Sequence, residues 1–115
     1  MKLRLYKKRS FAALAVSLFM VPGMVTAQDE IIGDAEAARS KISMCIGCHG
    51  IEGYKANFPR VYHVPMIAGQ NAEYIVSALK DYASGARTFP SMEAIAISLS
   101  EQDMADLAAY YSNLK

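Results

Sequence analysis

The sequence predicts an all-α domain, and three observations carry that prediction. Apolar residues recur at helical spacing in the segments that follow Asp34, Asn71 and Ser100, each a residue suited to cap a helix. No segment alternates apolar and polar residues as a half-buried strand would. The only two cysteines stand in Cys45-Ile46-Gly47-Cys48-His49, so neither a disulfide framework nor a four-cysteine zinc site can be built.

Taken in order, residues 1–27 read as a secretory signal peptide. Lys2, Arg4, Lys7, Lys8 and Arg9 form a basic n-region, Phe11 to Val21 an apolar h-region, and Val25-Thr26-Ala27 supply small residues ahead of a cleavage point. Pro22 and Gly23 interrupt the apolar run short of the ~20 residues that a spanning helix needs. Cleavage after Ala27 is therefore expected rather than stable membrane insertion. Residues 28–115 then form one small domain, short enough to gain from a staple such as a large apolar prosthetic group.

Gln28 to Gly33 is polar and is expected to be loose. Asp34 sits at an N-cap, and a first helix over Ala35–Met44 places Ala35, Ala38, Ile42 and Cys45 on one stripe. Gly50 to Val64, broken by Gly50, Gly53, Asn57 and Pro59, reads as a surface loop. Asn71 caps a second helix that buries Tyr74, Ile75, Ala78, Leu79 and Tyr82 and stops at Gly85. Ala86 to Ser91 is a connector leading into Met92, with a short helix over Glu93–Leu99. Ser100-Glu101-Gln102-Asp103 resembles a capping box and opens a final helix to about Leu114, with Leu107, Tyr110, Tyr111 and Leu114 on its apolar side.

Cys-x-x-Cys-His is the signature of c-type haem attachment. Cysteines three apart lie on one side of a helical turn, where both thiols reach the two vinyl-derived carbons of one porphyrin, and His49 falls under the iron. A redox dithiol is the rival reading, but it calls for a βαβ surround that this sequence lacks. An export signal on such a chain points to the bacterial periplasm.

The residues also resemble the class I c-type cytochromes, and among them the cytochrome c4 or c553 kind of single-haem domain. The resemblance runs from Cys45-Ile-Gly-Cys-His49-Gly50 through Pro65-Met66-Ile67-Ala68-Gly69-Gln70 and Tyr74 to Tyr82. It continues through Gly85-Ala86-Arg87, Met92 and Leu99 to Asp103, and ends on Leu107-Ala108-Ala109-Tyr110-Tyr111. It implies a class I cytochrome c fold, with helices packed around one covalently attached haem and the first and last helices crossing. It also implies that the Pro65 carbonyl takes the remaining N–H of His49.

A second axial ligand separates electron transfer from small-molecule chemistry. Met66, Met92, Met104 and His63 are candidates, whereas Met44 adjoins Cys45 on the wrong side. Met92, ahead of the last helix, can approach the haem face opposite His49, and the family pattern puts its sulfur ligand at the same point. Met104, inside the last helix, is expected to pack. Thioether sulfur stabilises ferrous iron relative to a second imidazole. The expectation is thus a periplasmic electron carrier with His49 and Met92 on iron, not an enzyme. A haem c subunit of a larger dehydrogenase, or a gas-binding or peroxidatic protein with a labile sixth position, are the alternatives.

All eleven acidic residues follow Ala27 and only seven of the twelve basic ones do, which leaves residues 28–115 at −4. That balance disfavours nucleic acid and favours redox-protein donors and acceptors that dock through a basic patch. Arg60 and Arg87 are possible partners for the haem propionates.

Overall fold

Among the described residues, 31–57 and 60–115 of a computed structural model, four α-helices and one short antiparallel ribbon form. The leader expected over residues 1–27 lies outside the described residues. No helix among those described is long and apolar enough to cross a membrane.

Asp34 caps the first turn as expected, its Oδ1 accepting from the backbone N–H of Glu36 at 2.8 Å and of Ala37 at 3.4 Å. The single helix expected over Ala35–Met44 is instead two pieces, a 3₁₀ turn at Ala37–Ser40 and α1 at Ser43–His49. The Ala38 carbonyl accepts from both Lys41 N–H at 2.8 Å and Ile42 N–H at 3.1 Å, which tightens the chain between the two pieces. The stripe itself survives: Ala38 is fully buried, with Ile42 and Cys45 packed on the same core.

The segment before Asp34 is not loose from Ile32 onward. Gln102 Nε2 donates to the Ile32 carbonyl at 2.9 Å, and Asp34 N–H donates to Asp106 Oδ1 at 2.8 Å. Between them Gly33 lies so close to the last helix that a Cβ there would overlap the Ala105 carbonyl.

Within the 50–64 loop, β1 (Lys55–Ala56) pairs antiparallel with β2 (Tyr62–His63), Lys55 opposite His63 and Ala56 opposite Tyr62. Two-residue strands are too short for alternation to register in a sequence. Asn71 Oδ1 accepts from Tyr74 N–H at 2.9 Å and opens α2 (Ala72–Ser84), which ends on Gly85 at φ +80, the left-handed conformation that favours glycine. Ile75 and Leu79 of α2 are buried, but Tyr74, expected beside them, is 50% exposed.

The connector also ends sooner than expected, because α3 spans Pro90–Ile97 with Pro90 in its first turn. Proline suits that position, having no N–H to leave unpaired and a φ already set for a helix. Met92 therefore sits in the first turn of α3 rather than ahead of a helix starting at Glu93. The last helix, α4 (Glu101–Ser112), carries the complete capping box: Asp103 N–H donates to Ser100 Oγ at 3.1 Å, and Ser100 N–H donates to Asp103 Oδ2 at 2.9 Å. Met104, Leu107, Ala108 and Tyr111 of α4 meet Ile75 and Leu79 of α2, Ala96 of α3 and Ala38 in one core. Met104 packs there, as expected of it.

Candidate functional site

On one side the core opens into a cleft of about 240 Å³. α1 brings Cys45, Cys48 and His49 to it; the 62–70 segment brings Tyr62, Pro65, Met66, Ile67 and Gln70. α2 adds Tyr74, Ile75, Leu79 and Tyr82, α3 adds Met92 and Ile95, and α4 adds Leu107 and Tyr111. The lining is mostly aliphatic and aromatic, with few polar groups, as a flat apolar ligand requires.

Both cysteines are free thiols, Cys45 half-buried and Cys48 exposed. Burial pushes the Cys45 thiol up, against a smaller lowering by the Tyr111 hydroxyl. Burial, and then the neighbouring Cys45, raise the Tyr111 hydroxyl well above the usual tyrosine range. That hydroxyl is buried against the Cys45 sulfur, with no nitrogen or oxygen partner among the described residues.

His49 is held by the opposite loop. Its Nδ1 lies 2.7 Å from the Pro65 carbonyl oxygen, and since a carbonyl only accepts, Nδ1 is the donor in this bond and Nε2 is the ring nitrogen left for a ligand. Proline shapes the strand of chain that offers this carbonyl. Gly69 then anchors the loop, its N–H donating to the Tyr111 carbonyl at 2.8 Å from a φ of +73 that favours glycine.

Of the four axial candidates, Met66 and Met92 line the cleft, while His63 and Met104 do not. Met44 lines it as well, on the α1 side. Of the two arginines, Arg87 lines the cleft, whereas Arg60 belongs to a separate shallow pocket with Thr88, Phe89, Pro90 and Glu93.

Three features were not read from the sequence. Tyr62 reaches the cleft from β2 and stacks at 44° on Phe89, with ring centroids 5.6 Å apart, tying the loop to the start of α3. Gln70 lines the cleft and also receives the Asn71 N–H at 2.8 Å on its Oε1. Behind the cleft, buried Asp106 accepts from Asp34 N–H and, at 2.8 Å, from Gln102 Nε2, and lies 3.5 Å from Lys41 Nζ. The Asp34 N–H, foremost, holds its carboxyl below the usual range. An aspartate one residue before Leu107 on the core side of α4 was the available signal.

Two thiols, an imidazole with a free nitrogen and a thioether facing one apolar cleft are the donors that covalent haem needs, since thiols bond the macrocycle and nitrogen and sulfur suit its iron. Among the described residues no group of three or more His, Cys, Asp or Glu side chains is placed to hold a bare metal ion.

Comparison with known proteins agrees with this chemistry. The family model described as Cytochrome c matches residues 37–115. The chain is 36% identical over 104 residues to cytochrome c4 of Pseudomonas aeruginosa, covering 89% of this chain and 48% of that protein. It is 40% identical over 84 residues to cytochrome c-554(548) of Halomonas halodenitrificans, covering 70% of this chain and 96% of that one. Over 70 residues it is 34% identical to the cytochrome subunit of sulfide dehydrogenase of Chlorobaculum tepidum, covering 61% and 59%. The chain thus spans about half the length of the cytochrome c4 relatives, 48% and 50% for those of Pseudomonas aeruginosa and Stutzerimonas stutzeri.

Proposed function

We propose that this chain, which belongs to the cytochrome c family, carries single electrons between redox proteins of the bacterial periplasm. Its class I c-type fold is mostly helical, and the family's cofactor is covalently bound haem c. Haem c contributes iron that cycles between ferric and ferrous states. Every other part of the function falls to residues of the chain.

In this reading Cys45 and Cys48 hold the haem by thioether bonds and His49 Nε2 ligates iron from one face. Pro65 fixes the His49 ring through the Nδ1 proton, as ligating imidazoles are commonly oriented by a carbonyl. Met92 supplies sulfur from the other face. The single observation that carries the reading is the convergence of these side chains on one apolar cleft. Met66 follows the very residue whose carbonyl His49 reaches, so it belongs to the histidine's side, whereas Met92 comes from α3 across the cleft. If His49 and Met92 both hold the iron, the chain would leave it no open site for a substrate, and the reading is then a carrier rather than a gas-binding or peroxidatic protein.

Residues 1–27 act as an export signal, and 28–115 are the carrier domain. The −4 balance of that domain favours a donor and an acceptor that dock through a basic patch. A second reading, a haem subunit held in a larger dehydrogenase, is favoured by the likeness to the cytochrome subunit of sulfide dehydrogenase. Intact mass of protein isolated from the periplasm tests the first reading: one haem added to residues 28–115 is expected. A mass without haem, or haem fully extractable by acid–acetone, contradicts it. Size exclusion of the native protein separates the free carrier from the subunit.

A further inference from the structure

Tyr111 of α4 serves two parts of the cleft with two different groups. Its carbonyl accepts the Gly69 N–H at 2.8 Å and so holds the loop that offers Pro65 to His49. Its side chain lines the cleft, as Cys45 does, and is only 5% exposed. Tyr110 meets the ring edge on, at 89° with centroids 5.2 Å apart, and Leu107 and Ala108 belong to the same core. Packing thus gives the ring a fixed seat.

Packing does not explain the hydroxyl. It is shielded from solvent, and no nitrogen or oxygen among the described residues partners it. Burying a hydroxyl unpaired is costly, and a phenylalanine would fill the same apolar seat without that cost. The polar atom it abuts is the Cys45 sulfur. Sulfur accepts a hydrogen bond weakly, and a thioether sulfur, having no S–H, can only accept. Attachment of the haem to Cys45 therefore leaves one possible direction for the bond, from tyrosine oxygen to sulfur.

We infer that Tyr111 is a positioning residue of the haem site, its hydroxyl donating to the thioether sulfur of Cys45 and raising the reduction potential of the iron. The inference rests on the haem reading and adds to it a side chain of α4 that acts through the attachment point rather than through an axial ligand. The positive end of the O–H dipole faces a sulfur bonded to the macrocycle. In a cleft of low polarity such a dipole favours the state with one more electron, which is the ferrous one. Tyr110, outside the cleft lining, does not share the role.

The test is potentiometry and denaturant unfolding of the purified holoprotein and its variants. Tyr111→Phe removes the hydroxyl but keeps the ring and the carbonyl on Gly69. It is expected to retain haem mass and axial-ligand spectrum, while its reduction equilibrium constant falls about threefold. Tyr110→Phe should leave the potential unchanged. In a Cys45→Ala background, where Cys48 alone attaches the haem, Tyr111→Phe should no longer move the potential. Stability supplies a sign: a hydroxyl that donates to sulfur loses a bond on substitution, whereas an unpaired one is relieved of its cost, so Tyr111→Phe should weaken the holoprotein and not strengthen it. A Tyr111→Phe variant with unchanged potential or raised stability overturns the inference while the haem reading stands, and so does a shift of equal size in the Cys45→Ala background. Should Cys45→Ala fail to mature, the potential and stability of Tyr111→Phe decide alone. A wild-type protein without covalent haem overturns both.

Discussion

Across the cleft, the helical wall leaves Leu107 and Tyr111 only 2% and 5% exposed, whereas the loop wall leaves Tyr62 and Met66 50% and 49% exposed. The helical wall is stabilised by side chains that bury one another, by the Asn71 and Ser100 caps, and by the Asp106 network behind it. The loop wall is held at a few points: the Pro65 carbonyl on His49, Gly69 N–H on the Tyr111 carbonyl, and Tyr62 on Phe89. One wall is a core that happens to face the cleft. The other is a positioning device: Ile67 packs on the core, but Tyr62 and Met66 are left half-exposed at the cleft.

Removing the haem should separate the walls most sharply. In the double variant Cys45→Ser/Cys48→Ser, covalent attachment is lost altogether, and the loop wall is expected to lose its amide protection before the α2–α4 pair does. Hydrogen exchange resolved by residue reads the order. Equal loss from both walls would break the comparison, because it would mean that the helices too depend on the cofactor, as a small domain with a thin core well can.

Next in size is Met92→Ala. Its thioether stands on α3, at the boundary of the two walls, and its removal should abolish the sulfur-to-iron charge-transfer band, lower the potential and admit carbon monoxide. Met66→Ala, on the loop wall beside Pro65, and Met104→Ala, in the core, should keep that band. If Met66→Ala abolishes it instead, the axial sulfur comes from the loop wall.

Leu107→Ala attacks the helical wall at its most buried large side chain. A loss of about 2–5 kcal/mol is expected from the cavity and the lost transfer energy, read by denaturant unfolding of the holoprotein. The charge-transfer band should survive wherever the protein remains folded.

The contrast between the walls also explains what the sequence made legible. The helical wall was readable because its information is local: Asn71 and Ser100 are capping residues followed by apolar residues at helical spacing, and Leu79 and Leu107 fall on the faces that this spacing predicts. The Cys45-to-His49 signature was readable because five consecutive residues carry it. The loop wall was not, since two-residue strands have no period and the approach of Tyr62 to the cleft depends on a distant Phe89. Tyr74 was misread for a related reason: helical spacing put it on the buried face, but that face looks into the cleft, where Arg87 rather than another helix meets it. The early start of α3 hid behind Pro90, which reads as a breaker inside a helix yet is favoured at its first position. Tethering of residues 32–34 escaped notice because it hangs on two distant side chains, Gln102, 70 residues from Ile32, and buried Asp106, 72 residues from Asp34.

That carboxylate and its neighbour give the pH dependence a direction. Asp103 is held down at about 2, first by Lys41 and then by the Ser100 backbone N–H, and Asp106 is lowered by the Asp34 N–H. Carboxylates depressed in the folded state stabilise it above their unfolded value near 3.8 and lose that contribution as pH falls toward 2. Lys41 is raised, by Asp103 foremost, so its contribution is complete below 10.5 and fades as pH climbs through its higher folded value. Lys41 and Asp103 keep 28% and 23% of their side chains exposed, so the share of that pair should be modest and screened by salt. Acid unfolding followed with and without Asp106→Asn should show the variant less dependent on pH between 4 and 2.

The smallest effect should come from Ser100→Ala, and it isolates the helical wall most cleanly. Ser100 Oγ accepts the Asp103 N–H, and loss of that bond leaves one donor of the first turn of α4 to water, at a cost of about 1 kcal/mol. The reciprocal bond from Ser100 N–H to Asp103 is a backbone donor and survives the substitution. Since Lys41 remains on Asp103, the 3₁₀ turn stays attached to α4. Stability should therefore fall uniformly, with the charge-transfer band, the potential and the exchange order of the two walls unchanged. A Ser100→Ala variant that shifts the potential would instead mean that α4, through the Tyr111 carbonyl on Gly69, transmits strain to the loop wall, and that the two walls act as one.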